Sequence, residues 1–101
     1  MKIIKPSVAG TMESSDIMIT LEPGSGGVEI DLKSQVEKQY GRQIREVIIN
    51  TLSELAVKSA KVTAVDKGAM DCTIRARLKT AVRRATEENA LPEAAGNWRA
   101  K

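Results

Sequence analysis

The chain contains no histidine and no phenylalanine, a single cysteine, Cys72, and only two aromatic residues, Tyr40 and Trp98. Each shortage excludes a class of chemistry. Without histidine the commonest general base and the commonest transition-metal ligand are missing, so neither a serine triad nor an imidazole-bound metal is available. One cysteine cannot form an intrachain disulfide or a thiolate zinc site, a pattern that suits a reducing compartment. The scarcity of aromatics leaves Ile, Val, Leu and Met to fill the interior. It also removes the stacking platforms on which single-stranded nucleic-acid binders depend.

No apolar run approaches the length of a membrane span, and MKIIKPSVAG lacks the apolar centre of a signal peptide. The expectation is a soluble, cytoplasmic protein. Its 101 residues fit one domain with one core. The formal charge of +3 is unevenly spread: residues 1–60 hold 7 basic and 8 acidic side chains, residues 61–101 hold 9 and 5. Basicity therefore belongs to the C-terminal part.

Periodicity divides the chain into elements. In DIMITLE, residues 16–22, Ile17, Ile19 and Leu21 alternate with Met18, Thr20 and Glu22, as a half-buried strand requires. PGSGG follows at 23–27, and VEIDLK at 28–33 repeats the alternation, which predicts a β-hairpin. SQVE at 34–37 has the form of a capping box and predicts a helix start. Val36, Tyr40, Ile44, Val47, Ile48, Thr51, Leu52 and Leu55 then mark one apolar stripe, interrupted by Gly41, which either admits a neighbouring backbone or is simply tolerated. KVTAVD at 61–66 reads as a strand and MDCTIRA at 70–76 as its hairpin partner, with Met70, Cys72 and Ile74 inward, so Cys72 is assigned to the core. From Ala76, Leu78, Ala81, Val82 and Ala85 sit at helical spacing. The predicted fold is α+β: a small single domain, 1–88, in which two β-hairpins form an antiparallel sheet with one long amphipathic helix and a shorter C-terminal helix, followed by a flexible tail, 89–101, that contains Trp98.

No catalytic set emerges. Ser14 and Ser15 have no histidine to activate them, and no spacing supports a dyad with Lys2, Lys5 or Lys67. Glu13 and Asp16 form a conceivable carboxylate pair for acid/base work or Mg²⁺, with turn solubility as the plainer reading. The glycines of residues 23–27 match no phosphate loop. Arg75, Arg77, Lys79, Arg83 and Arg84 lie in a stretch free of acidic residues, suited to a solvated or docking face.

PSVAGTMESSDIMI at 6–19, VEKQYG at 36–41 and DKGAMDCTIRARL at 66–78 together resemble the acyl carrier protein, or gamma subunit, family of bacterial citrate lyase. In that family the serine of a Gly-Thr-Leu-Glu-Ser segment carries phosphoribosyl-dephospho-coenzyme A through a phosphodiester bond. Ser14 matches this serine by position, with Met12 in place of the leucine, while Ser15 falls where relatives vary, often with glycine. The resemblance implies a non-catalytic carrier subunit whose partners are the transferase (alpha) and lyase (beta) subunits and the synthase that attaches the group. Composition and hydropathy add the expectation of no metal site and no membrane contact, with nucleic acid a disfavoured partner. Arg75, Arg77, Arg83 and Arg84 are then candidates for docking on the larger subunits. Two alternatives stay open: the similar carrier subunit of malonate decarboxylase, and, from another class, a small basic nucleic-acid-binding protein suggested by the pI of about 9.2.

Overall fold

The structure, a computed structural model, describes residues 1–86. It contains four strands and two helices in the order β1 (Ser7–Gly10), β2 (Ile17–Glu22), β3 (Val28–Ser34), α1 (Glu37–Glu54), β4 (Ala60–Asp66) and α2 (Asp71–Thr86). The expected α+β class holds, but the sheet is assembled differently from the two hairpins read in the sequence. The strand order is β1-β2-β4-β3. β4 is inserted between β2 and β3, pairing antiparallel with the first and parallel with the second. The residues 23–27 therefore connect two strands that do not touch, and the sheet is mixed.

The reason lies in α1. A helix between two strands of one sheet returns the chain to the starting edge, so β3, α1 and β4 form a parallel crossover unit instead of a meander. The remaining antiparallel partner of β2 on its other side is β1, a four-residue strand that the sequence reading did not register. This short hairpin holds the Ser14 loop.

The second expected hairpin does not exist. Residues 71–76 form the first turns of α2, because Ile74, Leu78, Ala81, Val82 and Ala85 follow a helical period and all five are buried. The alternation of Met70, Cys72 and Ile74 had suggested a strand, yet Met70 and Cys72 are exposed and only Ile74 enters the core. Cys72 is consequently a surface thiol, contrary to its assignment to the interior. The tail and Trp98 lie outside the described residues.

Both helices cover one face of the sheet, α2 over β1 and β2 and α1 beside β3. Ile17, Ile19 and Leu21 of β2 and Val62 and Ala64 of β4 meet Ile44, Ile48 and Leu52 of α1 and Leu78 and Val82 of α2 in one aliphatic cluster. The opposite sheet face carries Lys61, Glu29 and Asp31 toward solvent. Among the described residues no helix is long and apolar enough to cross a membrane.

Two details of α1 depart from the expected pattern. No capping box forms: Val36 occupies the N-cap without a side-chain bond, because the Ser34 hydroxyl donates to Asp66 Oδ2 at 2.9 Å while accepting from Val36 N at 3.1 Å. Gly41 faces no neighbouring backbone. A Cβ there would press on Glu37 Cγ and Arg45 Nη1, so the absent side chain leaves room for the Glu37–Arg45 ion pair to span two turns. Tyr40, placed on the apolar stripe by its spacing, is 49% exposed.

Candidate functional site

Between β1 and β2 runs a six-residue loop, Thr11–Asp16, with Ser14 near its tip. Gly10 opens it with φ 99°, and a Cβ at this position would overlap Ile17 O, so the chain can make the approach only with glycine. The loop closes with a turn in which Asp16 N donates to Glu13 O at 3.2 Å. Ser14 and Ser15 are its central residues, and Ser15 takes φ 65°, a left-handed conformation that costs a β-carbon-bearing residue roughly 1–2 kcal/mol. The serine pair is thereby divided. Ser14 and Ser15 are both exposed and neither hydroxyl makes a hydrogen bond among the described residues; what separates them is that Ser15 takes the left-handed position of the turn and Ser14 does not.

Asp16 anchors the loop. Its carboxylate accepts from Arg77 Nε at 3.1 Å and Nη2 at 2.8 Å, from the Thr11 hydroxyl at 2.6 Å and from Ile17 N at 2.7 Å. These donors satisfy a carboxylate that is nearly buried, which is the condition for keeping it charged there. Arg77, followed by Thr11 and Ile17 N–H, holds the Asp16 carboxyl well below the usual carboxylate range despite the opposing effect of burial. The guanidinium of Arg77 is pushed up in return by its bond to Asp16. Glu13 and Asp16 therefore do not act as a pair, and among the described residues no group of three or more metal-ligating side chains occurs. The solubility role read for Asp16 is replaced by a structural one.

A second tie comes from the β4–α2 connection: Ser15 N donates to Lys67 O at 2.8 Å and Lys67 N to Asp16 O at 2.8 Å. That connection is itself shaped by Asp66, which accepts from Gly68 N at 3.1 Å, Ala69 N at 3.0 Å and Ser34 Oγ. The loop is thus held from both sides while its tip points to solvent. A free hydroxyl on a fixed support is open to modification by another molecule, and both Ser14 and Ser15 lie exposed there.

The four candidate docking arginines are not a single surface. Arg75 Nη2 bonds Glu54 Oε1 at 2.7 Å and joins the two helices, Arg77 holds Asp16, and Arg84 Nη1 donates to Val8 O at 2.7 Å. Arg83 is exposed and has no partner among the described residues. Sequence reasoning missed the structural work of Asp16 and Arg77, sixty-one positions apart. Nothing in either local sequence signals that pairing.

The molecule is a small α+β domain whose braced β1–β2 loop exposes the adjacent Ser14 and Ser15. Residues 4–85 match the acyl carrier protein family model described as the malonate decarboxylase delta subunit. The chain is 59% identical over 85 residues to a citrate lyase acyl carrier protein of Streptococcus uberis, covering 84% of each chain. It is 52% identical over 93 residues to that of Lactobacillus helveticus, covering 92% of this chain and 96% of the other. The chain belongs to the acyl carrier protein family of these citrate lyase proteins. The fold is shared by a chain in the crystal structure of a Pseudomonas malonate decarboxylase hetero-tetramer in complex with malonate, with a TM-score of 0.68 over 84% of this chain and 92% of that one, at 19% identity.

Proposed function

We propose that this chain is the acyl carrier subunit of citrate lyase and that Ser14 bears phosphoribosyl-dephospho-coenzyme A through a phosphodiester bond. The observation that carries the reading is the exposed, unbonded Ser14 hydroxyl on a loop held by Asp16, Arg77 and Lys67. Identities of 52–59% to citrate lyase carriers, against 19% to the malonate decarboxylase chain, favour citrate over malonate as the source of the acyl group.

Bound to Ser14, the group supplies a thiol that holds an acyl thioester. The chain's own residues position it. Ser14 cannot lose its proton to Asp16, whose carboxyl is held far too acidic by Arg77 to act as a base near neutrality. The base and the activated phosphoryl donor must come from the attaching synthase, which needs access to the serine and finds it at the loop tip. Once attached, the arm is presented from a fixed origin to the transferase and lyase subunits. Intramolecular delivery then replaces two bimolecular encounters with a local concentration set by arm length. Docking falls to Arg83, because Arg75, Arg77 and Arg84 are engaged within the domain. This assembly belongs in the cytoplasm.

The test is the intact mass of the protein from its native host, with peptide mapping of residues 6–33. Added mass equal to phosphoribosyl-dephospho-coenzyme A on Ser14, absent from Ser14→Ala, is expected. An unmodified chain from cells actively consuming citrate would refute the reading.

A further inference from the structure

A groove of about 440 Å³ lies next to the Ser14 loop, between the first turns of α1 and the β4–α2 connection. Val36, Tyr40 and Ile44 form one wall; Gly68, Ala69 and Met70 form the other. Two of its acidic groups are already paired. The Asp66 carboxylate accepts from Ser34 Oγ, Gly68 N and Ala69 N, and Gln43 Nε2 donates to both carboxylate oxygens of Asp71, at 3.2 and 3.3 Å. What remains open is apolar, with Tyr40 49% and Met70 70% exposed. Clustered exposed apolar side chains beside paired carboxylates are the usual composition of a binding surface.

The groove is continuous with the attachment loop. Ser15 N is bonded to Lys67 O, and the next residue, Gly68, lines the groove. Gly68 takes φ 92°, and a Cβ there would meet nothing within 4 Å, so the backbone at this edge of the groove borders open space.

We propose that this groove is the resting site of the uncharged, thiol-ended part of the arm on Ser14. The proposal rests on the Ser14 reading above. Charge selects the part of the arm: the lining contains no cationic side chain, and Asp66 and Asp71 are its ionisable acids, so the phosphates stay outside and the amide-and-methylene end enters. The same charge distinguishes acyl states. An arm ending in a free thiol or an acetyl group rests in the groove, and one bearing carboxylates is driven out toward a partner's active site.

The test uses Cys72→Ser protein from the native host, so that the arm thiol is the sole thiol in the molecule. Intact mass first establishes loading, and amide chemical shifts are then compared between loaded protein and Ser14→Ala. Shifts at Tyr40, Ile44, Gly68, Ala69 and Met70, beyond those at 11–16, are expected. Met70→Glu, a change at an exposed side chain, is expected to speed alkylation of the arm thiol on the order of tenfold, equivalent to about 1.4 kcal/mol. Loaded protein whose shifts stop at residue 16, and whose alkylation rate ignores Met70→Glu, would overturn the groove assignment and leave the Ser14 reading intact. A chain with no added mass would overturn both.

Discussion

Arg77 on α2 and Asp16 at the end of the Ser14 loop are joined by two hydrogen bonds, Nε to Oδ1 at 3.1 Å and Nη2 to Oδ2 at 2.8 Å. The pair couples the β1–β2 loop to a helix that is buried along Ile74, Leu78 and Val82. Loop geometry is therefore inherited from the core.

Asp16→Asn is expected to lower Tm by roughly 2–6 °C, because the nearly buried carboxylate loses its charge while the Arg77 guanidinium, 40% exposed, stays partly solvated. The pH dependence has a defined sign. A carboxyl whose folded pKa lies below its ordinary value of 3.8 contributes stability that is complete above that value. The contribution is lost as pH falls through the folded value. Stability from this pair should be flat from neutrality to about pH 5 and decline below about pH 4, and Asp16→Asn should reduce that acid-side slope. Thermal unfolding from pH 2 to pH 7 checks both statements.

Ser15→Gly is expected to raise stability by about 0.5–1 kcal/mol, since glycine adopts φ 65° without the steric cost that serine meets. It should leave attachment of the group intact, while Ser14→Ala abolishes it. Denaturant melts and intact masses of the two variants separate the adjacent serines by role. If Ser15→Gly lost the group and Ser14→Ala kept it, the assignment would have to move by one residue.

At Gly10 the opposite result is expected. Gly10→Ala introduces a Cβ into Ile17 O at a φ of 99°, which should cost at least about 2 kcal/mol. Because the damage falls at the mouth of the loop, modification of Ser14 by the synthase should slow as well. Comparing attachment rates at a temperature where the variant remains folded distinguishes misplacement of Ser14 from global unfolding.

Arg83→Glu tests docking with little structural penalty. The side chain is exposed and unpaired among the described residues, so stability should stay within about 0.5 kcal/mol of the parent. Binding to the larger subunits should weaken and become less sensitive to salt. Arg84→Glu is a poorer probe, because it also removes a bond to Val8 O.

Local pattern determined a good deal. The alternation in Ile17–Glu22 and in Ala60–Asp66 is that of half-buried strands, and both form where the periodicity places them. The apolar series from Ile44 to Leu52 marks the buried side of α1, and Pro23 follows the last residue of β2. The serine loop was legible as a short acidic turn, and the resemblance pointed to Ser14. These features depend on residues a few positions apart, and spacing is what a sequence displays directly.

Only the tertiary structure decided the rest. Strand pairing is a choice among distant partners of equal local merit: Val28–Lys33 alternates as a hairpin partner of β2 should, yet α1 carries the chain back so that β4 takes the place between them. Met70, Cys72 and Ile74 fit a strand, and Ile74, Leu78, Val82 and Ala85 fit a helix. Packing of four buried side chains against the sheet outweighed two exposed ones. The left-handed turn at Ser15 and the internal engagement of Arg77 accompany the meeting of Asp16 with a guanidinium sixty-one residues away. The sequence by itself determined which segments had one face to bury and which short loop carried the serines. The choice of burial partners, and the rigidity of the support beneath that serine, came from long-range contacts whose energies exist only once the chain has folded.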